Sequence, residues 1–458
     1  RQRQMCIRDS DSIEYLQKCR DVERVMIVTD HAMVELGFLD RIIEQLDLRR
    51  NKVVYQIFAD VEPDPDITTV ERGTEIMRAF KPDTIIALGG GSPMDAAKVM
   101  WLFYEQPEVD FRDLVQKFMD IRKRAFKFPL LGKKTKFIAI PTTSGTGSEV
   151  TPFAVISDKA NNRKYPIADY SLTPTVAIVD PALVLTVPGS VAADTGMDVL
   201  THATEAYVSQ MASDFTDGLA LQAIKLVFEN LESSVKNADF HSREKMHNAS
   251  TIAGMAFANA FLGINHSLSH KLGGWFHIPH GTANALLFPF VCRFNAQRHP
   301  YKMGTFSQYK YPQAFERYVE LGELIGVKGK TDEQTFENWI KACEQLKKDI
   351  DIPETILDWL LEAHPEKTAE EWETEFLAAV DQMSEWAFHD ACTGCNPVYP
   401  TIAELKGCYL KAFYGEKKYA EKYGDIWEVP VTLPTDTHAA YPMGLCADLG
   451  VEKTGGFN

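Results

Sequence analysis

The strongest constraint on how this chain folds is an alternation confined to its first part. Five short apolar runs of strand length, Arg24–Asp30, Val53–Phe58, Thr84–Leu88, Phe137–Ile140 and Thr175–Val179, are separated by longer stretches. Two of those stretches, Leu36–Leu48 and Val70–Phe80, carry helical spacing. Strands that are apolar throughout are buried on both faces, and helices supply the cover, so the pattern predicts a parallel sheet flanked by helices. After about Pro188 the strand signals stop, and helical stretches follow one another to about Tyr414. The expected architecture is an α/β domain over residues 13–187, then an all-α domain over residues 188–414. Residues 1–12 are polar and read as a leader outside the fold. Residues 415–458 mix Pro, Gly and aromatic residues without period and read as a surface extension.

Composition excludes several partners. The net charge of −16 argues against nucleic acid and against an anionic membrane, both of which call for a basic face. The local basic cluster Arg122-Lys123-Arg124 reads as a solvated helix and loop. No apolar run approaches the ~20 residues that span a bilayer, and no signal-peptide pattern is present. Eight cysteines scattered over a long chain do not make a disulfide framework. Cys392-Thr393-Gly394-Cys395 is a close pair that fits a redox or metal site, but it reads better as reduced thiols of a cytoplasmic protein.

The chemistry concentrates between Asp198 and His280. Asp198 and His202 are four apart in a helical pattern and share one face of one turn. His266 and His270 repeat the spacing on a second segment, and His280 stands between Pro279 and Gly281 where an apolar helix begins. A carboxylate and three imidazoles complete a shell around a divalent metal. Each His alone also fits a core or surface role. The Gly89-Gly90-Gly91-Ser92-Pro93 turn follows a buried strand and opens a helix, with Ser92 read as its cap. Such a helix start favours a pyrophosphate. Asp30, at an earlier strand end, suits a ribose 2′-OH, and equally suits a plain helix cap. The hydroxyl-rich loop Thr142–Glu149 either lines a dinucleotide or makes an ordinary polar turn.

Taken together, the GGGSPMDAAK run at 89–98, TTSGTGSE at 142–149, GMDVLTHATEAY at 196–207 and the His266, His270 and His280 set resemble the iron-containing (group III) alcohol dehydrogenase family. The runs FMDIRKRAFKFP at 118–129, EVTPFAVISD at 149–158 and HKLGGWFHIPHG at 270–281 resemble in particular the C-terminal half of bifunctional aldehyde–alcohol dehydrogenases. The resemblance implies metal ligands at Asp198, His202, His266 and His280, and a non-ligand histidine near the substrate at His270. It implies NAD contacts at Asp30, Gly90, Gly91, Ser92, Thr142, Thr143, Thr151 and Lys164, and an aromatic near the nicotinamide at Phe257. It further implies Fe²⁺, with Zn²⁺ fitting the same donors, and a homodimer that joins larger helical assemblies when an aldehyde dehydrogenase half is attached. Two departures stand out: the family's first edge strand looks replaced by the leader, and Val398 occupies a position where Arg is common.

The expected reaction interconverts a small primary alcohol, ethanol first, and its aldehyde, with His270 carrying a proton or orienting a ligand. Butanol-type and polyol dehydrogenases on the same architecture are the rival enzymes. A filament module with an idle site is the rival of another class.

Overall fold

The computed structural model describes residues 5–8, 12–109, 128–158, 163–298 and 313–432, and of residues 5–8, 158 and 163–166 the backbone alone. The described residues form eight strands, β1 (Met5–Arg8), β2 (Arg24–Val28), β3 (Val54–Phe58), β4 (Thr84–Gly89), β5 (Lys136–Pro141), β6 (Phe153–Asp158), β7 (Arg163–Ala168) and β8 (Val176–Val179). Six form one sheet in the order β1-β8-β5-β4-β2-β3, and every pair in it is parallel.

Side-chain alternation gives the sheet two cores. Val25 and Ile27 face one side and meet Phe38, Leu39 and Ile42 of the Phe38–Asp47 helix. Met26 and Val28 face the other and meet Val70 and Met77 of the Ile67–Phe80 helix and Trp101 of the Gly91–Glu105 helix. Each such large side chain contributes about 1.5–3 kcal/mol by leaving water, which is why the strands are apolar on both faces.

The order of strands locates a crevice. From β2 the chain steps outward to β3, then returns to β4 on the opposite side. The carboxyl ends of β2 and β4 therefore part at a topological switch point, where open α/β sheets bind ligands. Asp30 follows β2 there, and the glycine turn follows β4.

From Gly189 onward all described regular structure is helical. The Gly189–Val208, Asp214–Lys236 and Phe240–Ala260 helices contribute to one core. The Ile264–Phe276, His280–Asn295, Ala369–Phe388 and Ile402–Tyr414 helices contribute to a second. No described helix is long and apolar enough to cross a membrane, and the described cysteines Cys19, Cys292, Cys343, Cys392, Cys395 and Cys408 are free.

Several expectations change. The leader is part of the fold: Met5–Arg8 pairs in parallel with Val176–Val179 as the sheet's edge strand. Four residues suffice because an edge strand needs only one neighbour. The antiparallel β6–β7 hairpin was not foreseen as strand. The glycine-turn helix starts at Gly91 with Gly90 as its cap, so Ser92 lies inside it. Beyond residue 415 the chain forms the Glu416–Tyr423 helix. Tyr419 there is buried, Trp427 packs on Phe294, and a Cβ on Gly407 would lie 2.1 Å from the Trp427 carbonyl oxygen. Val398 is buried in the second helical core. Arg122–Arg124 and residues 433–458 lie outside the described residues.

Candidate metal centre and cofactor cleft

Three helices deliver four side chains to one point where the two helical cores meet. The Gly189–Val208 helix carries Asp198 and His202, Ile264–Phe276 carries His266, and His280–Asn295 opens with His280. Asp198 Oδ1 lies 3.7 Å from His202 Nε2, 3.5 Å from His266 Nε2 and 3.6 Å from His280 Nε2. These gaps exceed hydrogen-bond lengths. Donors ~2.1 Å from a central ion stand about 3.4 Å apart in a tetrahedron, and the three distances from Asp198 come close to that. The ligand atoms of Asp198, His202 and His266 all lie within 4.8 Å of one another, and His280 joins the group through Asp198 Oδ1. The donor set and its spacing fit a divalent metal.

Other groups hold these donors. Glu205 faces His266 Nδ1 at 2.5 Å and accepts the Asn265 backbone N–H at 2.7 Å. The Asn284 amide donates to Asp198 Oδ1 at 2.9 Å. His202 is stacked between Phe257 (4.3 Å) and His266 (4.5 Å). Asp194, one turn before Asp198, accepts from the Thr282 backbone N–H at 2.5 Å and its hydroxyl at 3.0 Å. None of Glu205, Asn284 and Asp194 stood out in the sequence. Their only signal is helical spacing: Asn284 lies four residues after His280, and Asp194 four before Asp198.

Charge follows from this packing. Burial works against the Asp198 carboxylate, but His202, His280 and His266 outweigh it and hold it well below the usual range. Burial pushes His202 down to about 4, keeping the ring neutral and its lone pair available. Burial also lowers His266, yet Glu205 and Asp198 outweigh it and raise it to about 9. His280 is lowered by burial, although its side chain keeps 41 % exposure against 2–6 % for the other three. Burial pushes Asp194 up to about 6 against the Thr282 and Gly281 N–H groups.

His270 stands beside this set. Its ring stacks on His280 at 5.4 Å, and its Nδ1 lies 3.0 Å from Asp390 Oδ2. Lys271 donates to the same oxygen at 2.8 Å. Burial opposes charge on Asp390, but Lys271 and His270 hold the carboxyl well below its ordinary range.

The cleft residues from the sheet gather at the switch point. Asp30 Oδ1 accepts from Met33 N–H at 3.0 Å as a helix cap, while Oδ2 stands 3.3 Å from where a Gly89 Cβ would be. Asp30 thus caps a helix and faces the glycine turn together. A Cβ on Gly90 would meet Thr143 at 3.4 Å, and one on Gly91 would meet Thr146 at 3.1 Å, so the two loops touch. Ser92 Oγ accepts from Asp64 N–H at 3.3 Å. Thr142 and Thr151 are buried; Thr142 Oγ1 has no partner among the described residues, and the Thr151 carbonyl accepts from Lys98. Lys164 pairs through its backbone with Ser157; its side chain is outside the described residues. Phe257 is buried against His202 and Phe153. Among the neighbouring aromatics, Phe261 meets Phe153, while Phe276 packs on Phe376 within the core and Trp275 on Trp386.

The hydroxyl loop is clamped onto the Gly189–Val208 helix, which carries Asp198 and His202, and onto the neighbouring Phe240–Ala260 helix. A Cβ on Gly145 would lie 2.7 Å from Thr195 Cβ, and one on Gly147 (φ +59°) 2.8 Å from Gly254 Cα. Ser144 Oγ lies 3.1 Å from Nδ1 of buried His247.

Comparisons with known proteins agree for both domains. The iron-containing alcohol dehydrogenase family model matches residues 6–181, and the C-terminal model of the Fe-containing alcohol dehydrogenase family matches residues 192–413. The aldehyde-alcohol dehydrogenase of Streptococcus pneumoniae is 73% identical over 410 residues, 90% of this chain and 45% of that protein. The chain therefore spans less than half the length of such relatives. The NADPH-dependent butanol dehydrogenase of Clostridium saccharobutylicum is 42% identical over 404 residues, 88% of this chain and 95% of that one. The iron-containing alcohol dehydrogenase of Thermococcus thioreducens superimposes with a TM-score of 0.77 at 34% identity, covering 90% and 98% of the two chains.

Proposed function

Because this chain belongs to the iron-containing alcohol dehydrogenase family, we propose that it interconverts a small primary alcohol and its aldehyde with NAD(H), using a divalent metal held by Asp198, His202, His266 and His280. The observation that carries the reading is a single carboxylate oxygen standing 3.5–3.7 Å from three imidazole nitrogens. The family description favours Fe²⁺, and the donor set suits Zn²⁺ as well. Similarity to aldehyde-alcohol dehydrogenases supports ethanol and acetaldehyde as substrates. Similarity to a butanol dehydrogenase supports a four-carbon alternative, and apolar walls separate the two by only about 1–3 kcal/mol per methylene.

A divalent ion supplies Lewis acidity to the substrate oxygen, and nicotinamide exchanges the hydride. The chain's own residues do the rest. Glu205 engages Nδ1 of His266 and leaves its Nε2 to the centre. Asp390 fixes the His270 ring through Nδ1, leaving Nε2 to pass a proton between substrate oxygen and solvent. Asp30 and the Gly90, Gly91 and Ser92 turn at the switch point would hold a dinucleotide, with Thr142, Thr143, Thr151, Lys164 and Phe257 as its further contacts. Residues 13–187 serve as the cofactor domain and 188–414 as the metal domain. Free thiols support a cytoplasmic location, and a homodimer is the assembly expected.

Metal-stripped chain reloaded with Fe²⁺ or Zn²⁺ tests the reading by NADH oxidation with acetaldehyde and butyraldehyde, beside a sizing column. Turnover restored by metal supports it. Full turnover after stripping, or a metal-loaded chain inert toward both aldehydes, overturns it.

A further inference from the structure

We infer that Asp194 is a positioning residue for the metal centre: its carboxylate caps the His280–Asn295 helix from the neighbouring Gly189–Val208 helix and so fixes where His280 stands. The inference rests on the metal reading above and names a residue that this reading does not use.

The His280–Asn295 helix begins without a cap of its own. Pro279 occupies the N-cap position and offers no side-chain acceptor, so the first backbone N–H groups need a partner from elsewhere. Asp194 is that partner, through Oδ1 to the Thr282 N–H at 2.5 Å and the Thr282 hydroxyl at 3.0 Å. A carboxylate at a helix N-terminus also meets the favourable end of the helix dipole. The two helices touch backbone to backbone here, since a Cβ on Gly281 would lie 1.9 Å from the Asp194 carbonyl oxygen. A second rung runs from Asn284 to Asp198 at 2.9 Å. Asp194 precedes Asp198 by one turn and Thr282 follows His280 by two residues, so the clasp sets the register between two ligands.

His280 depends on this clasp more than the other histidines depend on any one contact. His266 has Glu205 on its Nδ1, and His202 is sandwiched between two rings. The His280 side chain is 41 % exposed, and no described side chain holds its Nδ1. Its ring stacks on His270 at 5.4 Å and its Nε2 lies 3.4 Å from the Asn284 amide of the same helix, so where that helix starts governs where the ring can stand.

Co²⁺ titration of the EDTA-stripped full chain, read by visible absorption, tests this on wild type, Asp194→Ala, Asp194→Asn, His280→Ala and the Asp194→Ala/His280→Ala pair. Loss of an outer partner typically weakens a metal about 10–100-fold, and Asp194→Ala is expected to do so with an altered spectrum. Asp194→Asn keeps an acceptor oxygen and is expected to stay within about threefold of wild type. The pair should bind no more weakly than His280→Ala alone, because Asp194 acts through His280. Should Asp194→Ala fail to fold, Thr282→Val removes one of the two bonds and is expected to weaken Co²⁺ several-fold. Wild-type affinity and spectrum in Asp194→Ala or in Thr282→Val, or an effect of Asp194→Ala that adds in full to His280→Ala, overturns the inference alone. A wild-type chain that binds no Co²⁺ overturns the metal reading instead.

Discussion

Asp390 and His270 are 120 residues apart in sequence and share a 3.0 Å hydrogen bond at the edge of the metal centre. Asp390 is held ionised by Lys271 and His270, so the imidazole Nδ1 is the donor and the tautomer is set. Asp390→Asn can present its amide N–H to that nitrogen and favour the opposite tautomer. It is expected to lower kcat on the order of 10–100-fold, within the range for general acid–base groups, with KM for NADH within about twofold. Adding His270→Ala should cost little more than His270→Ala alone. Steady-state kinetics with acetaldehyde reads both, and a wild-type kcat in Asp390→Asn would remove the pair from proton transfer.

On the proposed function, Asp30 is the residue expected to set the choice between NADH and NADPH. Its carboxylate follows β2 beside the glycine turn, where a 2′-phosphate would meet like charge. At short range such repulsion is worth about 1–4 kcal/mol. Asp30→Ser keeps a helix-capping oxygen and is expected to raise kcat/KM with NADPH about tenfold or more while lowering it with NADH. Unchanged preference in this variant would show that Asp30 is only a cap.

His247 links acid stability to the cofactor loop. It is buried behind Ser144, its Nε2 has no partner among the described residues, and burial pushes the ring down to about 3. Between that value and the ordinary 6.5 the unfolded chain binds a proton that the folded chain refuses. Stability therefore falls as pH drops through this window, by at most about 1.4 kcal/mol per pH unit from this group. His247→Gln should flatten the loss between pH 7 and 5, measured by denaturant midpoints. An acid slope identical to wild type would assign the loss to other groups.

What could be read in advance follows from which interactions are local in sequence. Asp198 and His202 are legible because one helical turn brings them together, and β2, β4, β5 and β8 because burial on both faces leaves unbroken apolar runs, whereas β3 is an edge strand with Val54 and Gln56 exposed. His266 and His280 are legible as imidazoles in apolar helices, although their meeting with Asp198 is a matter of helix packing. Asp390 acts across space and leaves no periodic trace, and the helical spacing of Glu205 and Asp194 does not say which groups they meet. The Met5–Arg8 edge strand hides in a polar leader because it has only four residues and one neighbour. Tyr419, Trp427 and Val429 pack against the helices from irregular spacings that carry no pattern.

Gly145 joins the two halves of the site. Its loop follows β5, and a Cβ there would lie 2.7 Å from Thr195 Cβ and 3.1 Å from Thr195 Cα, on the helix that carries Asp198 and His202. Helix backbone does not yield readily, so a methyl group at Gly145 must push the loop away. Gly145→Ala is expected to raise KM for NADH about tenfold while leaving Co²⁺ affinity within about twofold, because the loop moves and the helix stays. Thr195→Gly in the same chain removes the nearest clash and should recover part of the loss. Calorimetric titration with NADH, beside Co²⁺ titration of the same variants, separates the two sites. Equal loss of both ligands in Gly145→Ala would instead mean that the helix had moved with the loop, and that cofactor and metal positions are one mechanical unit.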